Sequence, residues 1–502
     1  MAEIQPYKKA VVCPAGRDRH GRSRYTHYTF RQLDQESDRV ARGLKKAGVD
    51  RGLRTILMVM PSLEFFVLVF ALFKVGAVPV VVDPGMGLGR MLLCLRESRP
   101  EAFIGIPKAH LLRLFRPKYF QGVKIWITVG RRWFWGGLTM RDLRSKDQAP
   151  LTPADTRRDE TAAVIFTTGS TGPAKGAIYT HGNFDAQLKH VAAFCKLGPD
   201  EVDLPTFPLF ALFDPALGMT AVIPDMDPTK PGFVNPQKII EPIFDHGVTN
   251  MFASPALLNR VGRYAQAQGL KLPSLRRVVS AGAPVLPDNV ERFASLLQNG
   301  AQVHTPYGAT EAVPVTSIGS DEILSETKER SRQGGGACVG RPLDGLEVRI
   351  IRITDDPVPE WSDELALPEG EIGEFAVKGD HVTRGYFNRP QADRLSKIKD
   401  GRSFWHRLGD VGWRDEKGRL WFCGRKSHRV ITGNGALFTI PCEAIFNNHP
   451  QVLRSALVGV GAPPHQKPVI CIELERRDGR IDLADLKREL LELGQISPLT
   501  KN

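Results

Sequence analysis

The stretch "TTGSTGPAKG" (residues 167–176) decides how this 502-residue chain is interpreted. It directly follows the apolar run "AAVIF" (162–166) and combines three glycines, four hydroxyl side chains and one lysine. Glycines let the backbone approach an anion closely, while hydroxyl groups and a lysine supply hydrogen bonds and positive charge. The stretch therefore predicts a phosphate-binding loop formed by Thr167, Thr168, Gly169, Ser170, Thr171, Gly172 and Lys175.

A Walker loop does not fit this stretch. The lysine of a Walker loop is followed by Ser or Thr, whereas Lys175 is followed by Gly176, so no neighbouring hydroxyl is placed for magnesium. A flexible surface loop is the alternative interpretation. We favour phosphate binding because the ordered string T-G-S-T-G-P-x-K-G after a strand rarely arises by chance.

The segments around this stretch predict an α/β fold. Residues 55–60, 62–75 and 78–82 have the strand, helix, strand pattern of a buried parallel βαβ unit. A capping box of Thr29 and Gln32 predicts the start of an earlier helix, and Gly48 predicts its end. Further strand patterns alternate with helical ones and predict a mainly parallel, helix-covered sheet; they lie at 101–107, 123–130, 162–169, 248–255 and 275–284.

The sequence changes character at about residue 334, where short strands with glycine turns begin and few helices are predicted. This pattern predicts a β subdomain at about 334–424. Residues 425–502 return to a βα pattern and predict a small α+β domain. We therefore expect a large N-terminal domain at 1–424, which includes the β subdomain, and a small C-terminal domain at 425–502.

The composition is that of a globular protein, with 42% hydrophobic and 25% charged residues. The seven cysteines have no C-x-x-C spacing, which predicts reduced thiols in a cytoplasmic protein and argues against a zinc site or a redox motif. The N-terminus lacks the apolar core of a signal peptide. No uncharged run reaches the length of a transmembrane helix, so no such segment is expected.

The formal net charge of +13 is compatible with nucleic acid, an acidic lipid surface or an anionic substrate. The basic residues form no single block and no zinc-finger or RNA-binding signature, so nucleic-acid binding is not expected. Two basic-aromatic patches, at 113–120 and 131–137, leave peripheral membrane contact open. Solvated loops with packed tryptophans are the favoured interpretation of these patches.

Six segments, in this order, resemble the adenylate-forming superfamily of acyl-CoA synthetases, adenylation domains and luciferases. They are "TTGSTGPAKGAIYTHGNF" (167–184), "SAGAP" (280–284), "YGATE" (307–311), "GEIGEFAVKGDHVTRGYFNRP" (370–390), "FWHRLGDVG" (404–412) and "GRKSHRV" (424–430). The resemblance covers nearly the whole chain. It implies a large N-terminal domain with a small mobile C-terminal domain, and activation of a carboxylate by ATP with Mg²⁺.

The resemblance also implies roles for individual residues. It assigns catalysis to Lys175, Thr310 and Glu311, and magnesium binding to Glu311 and Thr168. Apart from the loop, it assigns nucleotide binding to Gly282, Ala283, Pro284, Tyr307, Gly308, Thr310, Asp410 and Arg425, and the hinge to Lys426 and Ser427. A carboxylate is a hard ligand suited to magnesium, and an Asp–Arg pair can bind sugar hydroxyls and phosphate. Without the motifs, we would interpret Glu311 as a solvated charge and Asp410–Arg425 as a surface salt bridge.

The acceptor of the acyl group is indicated by departures from the usual acyl-CoA ligase pattern. That family often has a histidine after "PLF", where this chain has Ala211, and an aspartate or lysine at the position of Ser427. With "VVVDPGMGLG" (80–89) and the segment after the hinge, the chain most closely resembles the OleC-type olefin β-lactone synthetases. The resemblance implies a long-chain 2-alkyl-3-hydroxy acid whose own hydroxyl displaces AMP.

That resemblance also implies that the protein works beside other enzymes of the olefin pathway. A multienzyme assembly is one way in which these enzymes can be arranged. An apolar acyl pocket is expected, with candidate lining residues Phe207, Phe210, Ala211, Phe213 and Phe252. Ordinary core packing is an equally good explanation for any one of them. His181 and His304 are candidate general bases for ring closure, although a structural role is favoured for both.

Two alternatives stay open at this point. The first is a long-chain fatty acyl-CoA ligase or fatty acyl-AMP ligase. The second is a non-catalytic acyl- or nucleotide-binding subunit, because the family's C-terminal lysine in a G-K-[ILV] motif is absent and Lys501 lacks that context. We expect a C-terminal domain that is cut short rather than an incomplete site.

Overall fold

The computed structural model describes residues 1–147, 149–167, 174–475 and 482–501. The chain divides into two compact units. The first unit comprises Met1–His304, Thr310–Pro314 and Asp380–Asp393, and the second comprises Thr305–Ala309, Val315–Gly379 and Arg394–Asn502. This division does not test the predicted boundary between 424 and 425, which stays a prediction.

The first unit contains two seven-stranded sheets. Its strands are β1 (Lys9–Arg17), β2 (Ser23–Thr29), β3 (Arg54–Met58), β4 (Val78–Val82), β5 (Ala102–Gly105), β6 (Ile125–Thr128), β7 (Leu138–Thr139), β8 (Thr161–Thr167), β9 (Lys175–Thr180), β10 (Val202–Pro205), β11 (Thr220–Val222), β12 (Asn250–Ala253), β13 (Arg277–Ser280) and β14 (Gln302–His304). The strand orders are β14-β13-β12-β10-β11-β1-β2 and β7-β6-β5-β3-β4-β8-β9. Only the edge pairs β1–β2 and β8–β9 are antiparallel, so the predicted mainly parallel α/β fold is confirmed.

The helices of the first unit cover these sheets. They are α1 (Phe30–Lys46), α2 (Leu63–Val75), α3 (Leu88–Glu97), α4 (Pro107–Phe115), α5 (Met140–Leu143), α6 (His181–Cys195), α7 (Phe213–Ala216), α8 (Gln237–His246), α9 (Pro255–Ala267) and α10 (Pro287–Ala294). The predicted capping box is present in α1, where Thr29 accepts from the backbone of Gln32 and the Gln32 side chain accepts from the backbone of Thr29.

The predicted βαβ unit forms from β3, α2 and β4. Ser62 caps α2 by accepting from the backbone of Phe65, and Gly76 ends it in a left-handed conformation with φ +73°. Strand β3 ends two residues earlier than predicted, at Met58, because its partner β5 ends opposite it at Gly105. Most of α2 is buried in the hydrophobic core of the first unit.

From Thr305 onward the described chain is mainly β-strand, with few long helices. The strands are β15 (Tyr307–Ala309), β16 (Ala312–Ser317), β17 (Ala337–Pro342), β18 (Glu347–Ile351), β19 (Gly373–Lys378), β20 (Lys397–Asp400), β21 (Ser403–Arg414), β22 (Leu420–Arg425), β23 (Val430–Thr432), β24 (Gly435–Leu437), β25 (Val452–Val460) and β26 (Lys467–Leu474). The helices are α11 (Ser320–Glu322), α12 (Lys328–Arg330), α13 (Pro390–Ser396), α14 (Thr439–Asn447) and α15 (Leu483–Ile496).

An eight-stranded sheet has the order β15-β16-β17-β22-β21-β19-β18, with β20 paired to β21, and β23–β24 and β25–β26 form two hairpins. The pairs β17–β22, β18–β19, β19–β21 and β21–β22 are antiparallel, as expected for the predicted β subdomain. Among the described residues, no helix combines the length and the apolar character that crossing a bilayer requires.

Candidate active site

The strands on either side of the predicted phosphate loop form an antiparallel hairpin. Thr167 ends β8 and pairs with Lys175, which begins β9. Gly176 packs so closely that an added Cβ would lie 2.7 Å from the ring of Phe166. The predicted loop residues Thr168, Gly169, Ser170, Thr171 and Gly172 lie outside the described residues, so their role stays a prediction.

A lysine, a tyrosine and a carboxylate meet beside this hairpin. The Nζ of Lys175 lies 5.1 Å from the ring centroid of Tyr386. The hydroxyl of Tyr386 donates to Oε1 of Glu311 over 2.5 Å. The other oxygen of Glu311, Oε2, makes no hydrogen bond to the described part of the chain. Two of the three predicted catalytic residues, Lys175 and Glu311, are therefore joined through a residue that the motif analysis had not assigned.

Backbone hydrogen bonds explain why these side chains meet. The segment 380–387 runs beside β9, with bonds of 3.0 Å from Ile178 N to Gly385 O and 2.8 Å from Phe387 N to Gly176 O. The same segment reaches Glu311, whose carbonyl accepts from Thr383 N over 2.8 Å. Strand β9 and the segment that contains Tyr386 are thus fixed around one carboxylate.

Thr310 is held by a buried phenol. The hydroxyl of Tyr179, on β9, donates to the backbone carbonyl of Thr310. Burial raises the pKa of Tyr179, and the nearby charge of Glu311 raises it further. The phenol therefore stays protonated and remains a donor. This bond fixes the backbone of Thr310, the third predicted catalytic residue.

The segment expected to line adenine follows β13. Gly282 has φ +96° with open space where a Cβ would stand, and Ala283 and Pro284 are exposed. The buried hydroxyl of Ser280 has no hydrogen-bond partner among the described residues. In parallel α/β sheets, ligands bind outside the carboxyl ends of the strands, which is where this segment lies.

Four of the predicted acyl-pocket residues form one aromatic cluster. The ring of Phe210 lies 5.3 Å from Phe207, 6.3 Å from Phe213 and 4.7 Å from Phe252, centroid to centroid. Phe207 is 41% exposed, so the cluster reaches the surface of the first unit. Ala211 is fully buried in the hydrophobic core of that unit. The cluster is apolar enough for an acyl chain, and its role as a pocket stays a prediction.

Two aspartates that are close in sequence to this cluster form an acid pair that the sequence patterns did not predict. Asp203 lies on β10 and Asp214 on α7, and burial raises the pKa of both carboxyl groups. The Oδ2 atom of Asp214 has no hydrogen-bond partner among the described residues. A pattern of isolated aspartates gives no signal for such a pair, because the pairing depends on the fold.

The two candidate histidines have ring contacts typical of packed side chains. His181, at the start of α6, lies 6.3 Å from the ring of Phe73, and burial lowers its pKa. His304, at the end of β14, lies 6.5 Å from the ring of Phe194. Their part in ring closure stays open.

In the second unit, a hydrogen bond and an ion pair join Tyr307, Asp410 and Arg425. Asp410 and Arg425 are paired across β21 and β22, and Arg425 Nη1 lies 2.8 Å from Asp410 Oδ1. Tyr307, which precedes Gly308 on β15, donates its hydroxyl to Asp410 Oδ2 over 2.5 Å. Burial raises the pKa of Tyr307, and so does Asp410. These three residues were predicted to bind the nucleotide from separate motifs.

The predicted hinge residues follow Arg425 in a single 3₁₀ turn, Lys426–His428. Lys426 Nζ donates to the carbonyl of Thr354 over 2.8 Å and to Glu374 Oε2 over 3.1 Å. Burial lowers the pKa of Lys426, while Glu374 opposes this shift. Ser427 is exposed. No local pattern predicted that Lys426 would donate to a buried glutamate, and its function as a hinge stays a prediction.

Comparison with known proteins identifies close relatives along the whole chain. The chain is 46% identical over 507 residues to the olefin beta-lactone synthetase of Xanthomonas campestris pv. campestris, covering 100% of this chain and 90% of that protein. It is 47% identical over 498 residues to the olefin beta-lactone synthetase of Stenotrophomonas maltophilia, covering 98% of this chain and 89% of that protein.

The fold also matches a solved structure. The O-succinylbenzoate coenzyme A synthetase (MenE) from Bacillus subtilis, in complex with ATP and magnesium ion, superimposes with a TM-score of 0.76. The match covers 99% of this chain and 92% of that one at 22% sequence identity, so it supports the fold alone. The family model described as AMP-binding enzyme matches residues 2–387. The chain therefore belongs to the AMP-binding enzyme family.

Proposed function

We propose that this protein is an ATP-dependent ligase that adenylates a long-chain 2-alkyl-3-hydroxy fatty acid and closes it to a β-lactone, releasing pyrophosphate and AMP. The observation that carries the proposal is the identity of 46–47% over nearly the full chain to two proteins named olefin beta-lactone synthetase. The cluster of Lys175, Tyr386 and Glu311 supports the adenylation step. It combines positive charge with a carboxylate.

Magnesium fits the donor set around Glu311. The carboxylate is a hard oxygen ligand, its Oε2 atom makes no hydrogen bond to the described residues, and Tyr386 orients it through Oε1. We propose Glu311 and Thr168 as magnesium ligands, although Thr168 lies outside the described residues. A bound Mg²⁺ neutralises charge on the departing pyrophosphate. Lys175 would add positive charge for the α-phosphate, and Thr310 would donate to it.

We propose that Asp410 and Arg425 bind the ribose of ATP in the second unit. A carboxylate can accept hydrogen bonds from both sugar hydroxyls, and the Arg425 side chain, 39% exposed, can donate to the sugar or a phosphate. Tyr307 holds the orientation of Asp410 through its hydroxyl. Its ring and Gly308 are proposed to bind the adenine, and Gly282, Ala283 and Pro284 of the first unit stay separate proposals for nucleotide binding.

The reaction proposed has two steps. A carboxylate oxygen of the acid attacks the α-phosphate, an O–P bond forms, and the bond to pyrophosphate breaks. The 3-hydroxyl oxygen then attacks the activated carbonyl, loses its proton, and the bond from the acyl carbon to AMP breaks. Because the hydroxyl is tethered to the carbonyl, its effective concentration is high, which helps to offset the strain of a four-membered ring.

The acyl chain is proposed to lie against the aromatic cluster of Phe207, Phe210, Phe213 and Phe252, because its rings are apolar and partly exposed. We also propose that residues 425–502 act as the small mobile domain, with Lys426 and Ser427 at the hinge. A cytoplasmic location beside other enzymes of the olefin pathway is proposed. The seven cysteines, all free, support a reducing compartment.

The test is product analysis with a defined 2-alkyl-3-hydroxy acid, ATP and Mg²⁺, with and without coenzyme A. We expect β-lactone, AMP and pyrophosphate in equal amounts without coenzyme A. A product that forms only with coenzyme A would instead identify a fatty acyl-CoA ligase.

The matched control substrate is the same acid without its 3-hydroxyl group. It should support ATP–pyrophosphate exchange but give no lactone, because the nucleophile for ring closure is missing. If neither acid supports exchange, the protein is not the proposed ligase, and a non-catalytic binding subunit becomes the better explanation.

A further inference from the structure

Two histidines and an aspartate form a cluster that the proposed reaction does not use. His190 lies on α6, and Asp380 and His381 lie in the turn that follows β19 in the chain. One ligand atom from each of the three residues lies within 4.8 Å of the others. His190 Nε2 is 2.8 Å from Asp380 Oδ1. The cluster lies wholly within the first unit.

His381 is the unusual member of the cluster. Its side chain is completely buried, and neither Nδ1 nor Nε2 makes a hydrogen bond of acceptable geometry within the part of the chain that the structure describes. The backbone carbonyl of Pro314 lies beside the ring, outside the geometry of a hydrogen bond. Burying a polar group without a partner destabilises a fold, so the retention of this side chain calls for a ligand.

The backbone around the cluster is fixed, and one side of it is open to solvent. Asn183, on the same helix as His190, donates through Nδ2 to the carbonyls of Asp380 and Val382, which flank His381. The side chains of Asp380 and His190 are 65% and 15% exposed. An ion can therefore enter past Asp380 and reach ligands that are already held in place.

We propose that His190, Asp380 and His381 bind one Zn²⁺ ion, with water at the fourth position. Imidazole nitrogens and a carboxylate oxygen are ligands that zinc prefers, and three protein ligands leave a tetrahedral site open at one position. Zinc–ligand distances of about 2.0–2.2 Å require ligand atoms about 3.3 Å apart. The ligand atoms now lie within 4.8 Å of one another, so the side chains must adjust when the ion binds.

The ion has a structural consequence for the neighbouring site. It ties the segment 380–387 to α6, and this segment contains Tyr386, which holds Glu311. The zinc proposal does not depend on the proposed reaction, because it rests on the geometry of the cluster alone.

The test uses the full chain, stripped with a chelator and titrated with Zn²⁺ by calorimetry. We expect one equivalent to bind with a rise in the thermal midpoint of unfolding. Co²⁺ should give the visible spectrum of tetrahedral coordination. His190→Gln and Asp380→Asn should each lower the affinity for Zn²⁺ at least about a hundredfold. Both positions are partly exposed, so folding should survive the change.

The matched control is His449→Gln, which removes a histidine that is 2.8 Å from Glu489 but lies outside the cluster. It should bind Zn²⁺ as the unaltered protein does. The proposal is overturned if the unaltered chain binds no Zn²⁺. It is equally overturned if binding persists unchanged in His190→Gln and Asp380→Asn, since the ion would then occupy another site such as the exposed Cys471.

Discussion

At the scale of single residues, Glu311 has the most direct part in the proposed adenylation. Glu311→Gln removes the charge that would hold Mg²⁺ but keeps an oxygen that can accept from Tyr386. We expect ATP–pyrophosphate exchange to fall on the order of a hundredfold, a loss typical of removing one electrostatic contact to the transition state. The measurement is exchange rate against Mg²⁺ concentration.

Tyr386→Phe is the control for this prediction, because it removes the hydrogen bond to Glu311 and leaves the carboxylate charge. Its effect on exchange should be smaller than that of Glu311→Gln. If the ATP–pyrophosphate exchange rate of Glu311→Gln is within twofold of that of the unaltered protein, the proposed role of Glu311 is ruled out.

Asp203 and Asp214 predict a dependence of stability on pH. Burial raises the pKa of Asp203 from 3.8 to about 7 in the folded state, and it also raises the pKa of Asp214. Between pH 3.8 and about 7, the folded chain keeps protons on these carboxyl groups that the unfolded chain has released. The free energy of unfolding therefore falls as pH rises through this range. Asp214→Asn should flatten this fall, as measured by urea unfolding from pH 4 to about 7.

The exposed Asp200→Asn serves as control and should leave the slope of the unfolding free energy against pH unchanged. An Asp214→Asn slope equal to that of the unaltered protein would show that the pair does not hold the extra proton.

At the scale of elements, the start of α1 depends on the capping box of Thr29 and Gln32. Thr29→Ala removes the side-chain acceptor and should lower the stability of the first unit by about 1 kcal/mol. Thermal unfolding measures the loss. Thr29→Ser keeps a hydroxyl and should restore most of it; an equal loss in both variants would show that the cap is not the cause.

Strands β19 and β21 are joined by a buried ion pair between Glu374 and Arg407, both 1% exposed, with an N–O distance of 2.6 Å. Lys426 contacts the same carboxylate over 3.1 Å. Glu374→Gln removes the buried carboxylate that both positive charges share and should cost about 3–5 kcal/mol of stability. Urea unfolding monitored in the second unit measures this cost.

Glu347→Gln, at the start of β18, is the matched control. This carboxylate is 52% exposed and 3.9 Å from Lys378, so its loss should cost at most about 1 kcal/mol. An equal loss of unfolding free energy in Glu374→Gln and Glu347→Gln would show that burial does not determine the cost of removing the carboxylate.

The elements show which features sequence patterns can predict. The βαβ unit at β3, α2 and β4 was predicted because its apolar runs, cap and terminal glycine are local signals. Tyr386 and His381 were not assigned roles. Their importance arises from contacts with Glu311 and His190, which are far away in the sequence. Sequence patterns predicted the motif residues, whereas the residues that position them depend on the fold.

At the scale of the whole molecule, full-length similarity carries more of the functional argument than any one contact. The α/β fold was predicted from alternating strand and helix patterns and the adenylate-forming family from six ordered motifs, and both are confirmed. The preference for an internal hydroxyl over coenzyme A could be inferred only from resemblance. This preference depends on which nucleophile lies within reach of the activated carbonyl. A sequence motif does not specify the distance between the nucleophile and the carbonyl carbon.

The central claim, that the carboxylate is adenylated before the hydroxyl closes the ring, is tested most directly by isotope labelling. The 2-alkyl-3-hydroxy acid carries ¹⁸O in both carboxylate oxygens, and mass spectrometry follows the label into the products. We predict one ¹⁸O in AMP, one in the lactone carbonyl and none in pyrophosphate. Retention of both labels in the lactone, with none in AMP, would show that the hydroxyl had been activated instead and would contradict the proposed reaction.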